Sequence, residues 1–159
     1  MSEFLIANLK LDRWLPEERT KAGEVPADAL ADLKTRGNEL SVFEVDDSTN
    51  AERIVVAFSA TKSDLADMGY AVFDGAPFDG LGIVSHRSPG MTPDDLVNTL
   101  HYDLQHLTAT QVAGLAGAVA NGRSDLILAK RLRVLLRAGL DAKRLDPARV
   151  NKKLMALLK

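Results

Sequence analysis

A chain of 159 residues with 46% hydrophobic and 26% charged residues has the composition of a folded globular protein, and the lack of cysteine excludes a disulfide scaffold, a thiol nucleophile and a thiolate zinc site. The net charge of −2 conceals a division: residues 1–120 hold 9 Lys/Arg against 19 Asp/Glu, a net of −10, whereas residues 121–159 hold 11 against 3, a net of +8. Apolar runs such as Ile54–Phe58 fall far short of the ~20 residues that cross a bilayer, and no basic segment precedes the short apolar stretch after Glu3. These features predict a cytoplasmic protein of bacterial type without membrane contact.

In chain order, Glu3–Leu9 (EFLIANL) reads as a short strand, and Asp12–Val25, with Trp14, Pro16 and several charges, as a connection. Pro26 suits a first helical turn, so a helix is expected over Ala27–Arg36, stopped by Gly37. Leu40–Val45 (LSVFEV) and Arg53–Ser59 (RIVVAFS) are rich in β-branched residues and flank the turn-forming DDSTN, which predicts an antiparallel hairpin. Ser63–Met68 reads as a short helix and Tyr70–Asp74 as a third strand. A long loop is expected over 75–90, where four glycines and two prolines surround a possible strand at Leu81–Val84.

The remainder reads as helical. Thr92-Pro93-Asp94-Asp95 is a helix start, and Leu96, Leu100, Leu104 and Leu107 follow at helical spacing. Thr108 and Gln111 form a capping box for a second helix to about Ala120. Ser124 is placed as the cap of a third helix to Ala138, and Asp146-Pro147 opens a fourth. The expected architecture is therefore α+β: an acidic section over residues 1–90 built on a small antiparallel or mixed sheet, followed by a basic section of about four helices over 91–159 packed against it.

The basic tail carries the main candidate binding residues: Arg123, Lys130, Arg133, Arg137, Lys143, Arg144, Arg149, Lys152 and Lys153. On a helical wheel Lys130, Arg133 and Arg137 form one stripe, opposite Leu128, Leu132, Leu135 and Leu136, while Val150, Leu154 and Leu157 form the apolar face of the last helix. Such faces suit phosphates or an acidic protein surface, and the acidic front of the same chain could also neutralise them. Thr108–Arg137 can also be read as a helix–turn–helix around Gly122, although Ser124, Asp125, Leu126 and Ile127 would be poor base readers.

His101 and His106, five residues apart, would diverge on a helix, so the HYDLQH run predicts no metal site; His101 is expected half-buried and Asp103 and His106 in solvent. Asp74, Asp79, His86 and Arg87 are the best enzymatic candidates, as acid–base and anion-binding groups on a loop. They would need a deep pocket to act, and no phosphate loop, dinucleotide fingerprint or nucleophile elbow accompanies them. Glu44, Asp46, Asp47 and Glu52 should decorate the hairpin tip, and Trp14, Phe43, Phe58 and Phe73 should lie in the core. No cofactor and no metal are expected. The expectation for function is a non-catalytic interaction or regulatory protein working through protein contacts, with itself or another chain. The alternatives are a nucleic-acid-binding regulator using the nine basic residues and a small enzyme using residues 74–87.

Overall fold

The computed structural model describes residues 2–14, 24–46 and 49–159. Strand β1 (Glu3–Leu9) buries Phe4, Leu5 and Ile6 in succession, with Phe4 and Ile6 in one hydrophobic cluster and Leu5 in another. Side chains alternate across a strand, so consecutive burial requires a cover on both faces. β1 is an inner strand of a six-stranded antiparallel sheet that also contains β2 (Leu40–Val45), β3 (Met68–Asp74), β4 (Val84–Arg87), β5 (His101–Gln105) and β6 (Arg123–Ile127), in the order β4-β5-β2-β1-β3-β6.

The pairing dictates the crossovers. β2 and β3 are both antiparallel to β1 and therefore parallel to each other, which a tight turn cannot connect. Helix α2 (Ala51–Ser59) makes this crossover, so the hairpin expected over 40–59 does not form. Asn50 starts α2 by accepting the Arg53 N–H at 2.9 Å. Ile54, Val55, Val56 and Ala57 are all buried, and this packing outweighs the β preference of the isoleucine and valines. β5 and β6 are likewise parallel, and α5 (Ala109–Ala120) connects them over the opposite face, opened by the Thr108–Gln111 capping box the sequence predicts.

One face of the sheet packs on α2, the short α4 (Asp95–Asn98), α6 (Ala129–Asp141) and α7 (Lys152–Leu158), through Val97, Leu132, Leu136, Leu145 and Leu154. The other packs on the one-turn α1 (Leu11–Trp14), a 3-10 helix over Ala27–Asp32, α3 (Pro77–Leu81) and α5. The fold is α+β, but its helices are interspersed with the strands, and the layout of a sheet followed by four helices is not found.

Several local expectations change with it. The helix over Ala27–Arg36 is the shorter 3-10 turn, and 63–67 is not helical. Within 75–90 lie α3 and β4, so this stretch is not a plain loop. Asp12–Trp14, expected in a connection, belong to α1, and residues 15–23 of that connection lie outside the described residues. The leucine series 96–107 is not one helix: Asp94, not Thr92, caps α4, and the chain then turns into β5. In β5 Tyr102 and Leu104 face the α5 side while His101, Asp103 and Gln105 face the other, the period of two that HYDLQ contains.

β6 occupies the start of the expected third helix, so a strand separates α5 from α6 where a helix–turn–helix would need a turn. Gly122 precedes it because a Cβ there would stand 2.3 Å from the Val72 carbonyl oxygen of β3. Leu128, assigned to the apolar arc, is exposed at the N-cap of α6, and Leu157 is exposed while Leu158 is buried. Trp14, Phe43 and Phe73 are buried as expected; Phe58 is partly so.

Candidate functional site

The helices on the α2 side leave part of the sheet open. At the β2–β5–β4 end of that face, Ser41, Val84 and His86 are exposed, and Asp103 and Gln105 are half-buried. His101, half-buried as expected but on a strand, packs edge-on against the Phe43 ring at a centroid distance of 5.4 Å. His86 and Asp103 are direct cross-strand neighbours, and Ser88 follows the end of β4 beside His101.

Ser88, His101 and Asp103 thus form a serine–histidine–aspartate group, and its geometry decides against nucleophilic use. His101 Nδ1 lies 3.0 Å from the Ser88 carbonyl oxygen and 3.1 Å from the Ser88 hydroxyl oxygen, and because a carbonyl only accepts, the tautomer that satisfies it carries the proton on Nδ1. In that tautomer Nδ1 offers no lone pair to the Ser88 hydroxyl, which donates to Asp103 Oδ2 at 2.7 Å. The other ring nitrogen is 3.6 Å from Asp103 Oδ1. A nucleophilic serine needs a histidine lone pair on its own proton. Here the three residues instead clasp the end of β4 to β5. His86 stands on the open face and not in a deep pocket. Among the described residues no group of three or more His, Asp or Glu is placed to hold a metal ion.

The two outer strands of the sheet end differently. On β6, the Asp125 carboxylate accepts the Leu126 N–H at 2.8 Å, which occupies a backbone donor that an edge would otherwise present. Among the described residues β4 has no such cover. Its hydrogen-bonded pairs with β5 follow from Ser88 N–H donating to the His101 carbonyl, so by alternation His86 and Val84 also point their amides inwards. The amides of Ser85 and Arg87 point outwards and have no acceptor among the described residues. All four β4 residues are exposed. The Arg87 side chain folds back across the other face, donating to Tyr102 Oη at 3.1 Å and to Glu44 at 2.7 Å, so it leaves this edge free.

The nine basic residues do not form one surface of free charge. Arg123 on β6 pairs with Glu3 at 2.9 Å. Arg149 pairs with Asp95 at 2.7 Å and Asp146 at 3.1 Å and also reaches the Thr92 and Pro93 carbonyls. Arg137 donates to the Leu158 carbonyl at 2.6 Å and Arg133 to the Lys159 backbone oxygen at 3.3 Å, where cations favour the negative end of α7. Lys130, Lys143, Arg144, Lys152 and Lys153 are exposed and have no ion-pair partner among the described residues. The expected acidic hairpin tip is also rearranged: Glu44 holds Arg87 and Ser2, and Glu52 holds Arg131 at 2.7 Å. Asp47 lies outside the described residues.

Sequence reasoning missed the open β4 edge because its residues were read as loop. The available signal was Val84-Ser85-His86-Arg87 itself, four residues without glycine or proline between two breakers. Among the described residues no helix is long and apolar enough to cross a membrane. No known family matches the chain, and neither the curated proteins nor the solved structures contain a match.

Proposed function

We propose that this protein is a non-catalytic interaction module that takes up an extended protein segment along the outer edge of β4. The reading rests on one observation: β4 is exposed throughout and, among the described residues, nothing accepts the outward amides of Ser85 and Arg87, whereas on β6 Asp125 takes up the Leu126 amide. Strand addition uses such an edge, with main-chain hydrogen bonds supplying affinity and alternate side chains supplying selectivity. An incoming strand would continue the open face beyond Val84 and His86 and lie beside Arg87 on the other.

The test is selection of peptides from a random library, followed by amide exchange in the full chain. Selected peptides should protect Ser85 and Arg87, and Ser85→Pro should abolish binding. Proline there removes an outward donor and leaves the inward ladder intact. Protection elsewhere, or unchanged binding by Ser85→Pro with Ser85→Ala as control, would reject the reading.

A second reading, nucleic-acid binding, is favoured by the five exposed cations Lys130, Lys143, Arg144, Lys152 and Lys153, which have no ion-pair partner among the described residues. Duplex DNA affinity falling steeply with salt, and lost in a variant with Lys143, Arg144 and Lys152 changed to Glu, would support it over strand addition. The enzyme reading ranks below both, since Ser88 is not activated and His86 is not enclosed.

A further inference from the structure

Among the described residues, Arg36 and Arg144 are the arginines whose guanidinium groups hold no partner. The others donate to carboxylates or backbone oxygens, as with Arg13, Arg53, Arg131 and Arg137. Arg36 lines a cleft of about 550 Å³ where β1 ends, β2 begins and β5 ends. Lys34 and Lys62 line it too, and neither has an ion-pair partner among the described residues. Lys62 instead lies over the Phe58 ring, 4.6 Å from its centroid, and Phe58 and Phe43 give the cleft an apolar wall.

The acids beside these cations are already engaged. Asp32 accepts the Lys10 N–H at 2.8 Å, Arg13 Nη1 at 2.9 Å and Trp14 Nε1 at 2.9 Å. Asp103 accepts the Ser88 hydroxyl. That leaves Glu39 as the one lining acid without a side-chain partner among the described residues, in a cleft that three cations line. The backbone around the cleft turns sharply. Asn8, Asn38 and His106 hold φ values of 65°, 61° and 54°, three of the four non-glycine residues with positive φ among those described. Asn8 lines the cleft, and the Leu107 N–H, next to His106, donates to the Asn38 carbonyl at 2.9 Å. Asparagine tolerates the left-handed region: Gly37–Asn38 is the two-residue turn between the paired Arg36 and Glu39, and Asn8 lies where the β1–β3 register shifts, so these residues shape the cleft rim.

We propose that this cleft binds a small organic anion, a carboxylate or phosphate monoester joined to an apolar body. The three cations meet the anionic group, and the Phe43–Phe58 wall takes the apolar part. The volume suits a small molecule. A nucleic-acid strand would need a longer basic track than three residues provide. The inference stands apart from strand addition at β4, since it uses none of the β4 amides.

The test is calorimetric titration of the full chain with phenyl phosphate, phenylacetate, benzyl alcohol and inorganic phosphate at low salt. Saturable 1:1 binding of at least one aromatic anion is expected. Benzyl alcohol and inorganic phosphate should each bind at least about tenfold more weakly, since each lacks one half of the recognised chemistry. The preferred aromatic anion identifies the head group. Arg36→Glu combined with Lys62→Glu should weaken binding by about tenfold or more, and Arg144→Glu, outside the cleft, should not change it. Should the double variant unfold, amide shifts of Asn38, Phe58 and Lys62 in the unsubstituted protein on adding the aromatic anion give the same reading. No saturable binding of either aromatic anion, affinity unchanged by the charge reversals, or shifts confined to other residues would overturn the proposal.

Discussion

Arg53 in α2 and Asp94 ahead of α4, 41 residues apart, meet through two hydrogen bonds of 2.8 and 3.1 Å. The Asp94 side chain is 2% exposed and that of Arg53 29%. The same carboxylate accepts the Leu96 and Val97 amides that open α4. One buried acid thus closes a helix start and ties the β2–β3 crossover to the segment that leads into β5.

Asp94→Ala is expected to destabilise the protein by about 3–5 kcal/mol, because it leaves a half-buried guanidinium without its partner and uncaps α4. Arg53→Ala leaves the carboxylate buried but still holding two amides, so its cost should be smaller. Urea denaturation of both single variants and the double variant measures the coupling; additive losses would show that the pair does not act as a unit.

Asp32 is a second buried acid, 6% exposed, and it gathers the Lys10 amide, Arg13 and Trp14 Nε1. Asp32→Ala should cost about 3 kcal/mol by stranding buried donors. It should also red-shift Trp14 emission as the indole loosens. Asp32→Asn, which keeps one acceptor oxygen, should lose less. Equal effects of the two substitutions would contradict this account.

Burial is the main cause that raises the Tyr70 pKa above its ordinary value of 10.0, with the nearby carboxylates of Asp125 and Glu52 adding to it and Arg131 opposing. The neutral phenol is therefore favoured in the folded state. Its contribution to stability is fully present below pH 10.0 and is lost as pH rises through the folded-state value. Tyr70→Phe, which cannot ionise, should remove part of the fall in urea midpoint between pH about 8 and about 11. A fall of the same size in the variant would assign the alkaline loss to other groups.

Gly122→Ala should destabilise by about 1–3 kcal/mol, because the new methyl meets the Val72 carbonyl oxygen and the Phe73 backbone, neither of which can swing away. Gly117, whose added Cβ would meet nothing within 4 Å, is the control, and Gly117→Ala inside α5 should be neutral or stabilising. Thermal melts of the two variants compare a steric requirement with a purely conformational one. Equal midpoints would refute the steric argument.

The sequence by itself determined the features that rest on neighbouring residues. The Thr108–Gln111 capping box, the strands around Phe4, Val42 and Val72, and the α+β class are all readable there, since a cap or a pleat needs only a few adjacent side chains. Other segments carry two periods at once, and burial alone chose between them. Ile54–Ala57 is apolar all round, which fits an interior strand or an interior helix equally well. The parallel relation of β2 and β3 demanded the helix. His101–Gln105 continued a leucine series yet also alternated, and pairing with β2 and β4 selected the alternation. The basic tail shows the same limit for the candidate sites. The excess of positive charge was countable, but only the tertiary structure decided that Arg123 turns to Glu3 and Arg149 to Asp95 and Asp146, that Arg133 and Arg137 hold the end of α7, and that Arg36 lines a cleft with no side-chain partner among the described residues. Charge adds up along a chain, whereas pairing depends on distances that folding alone creates.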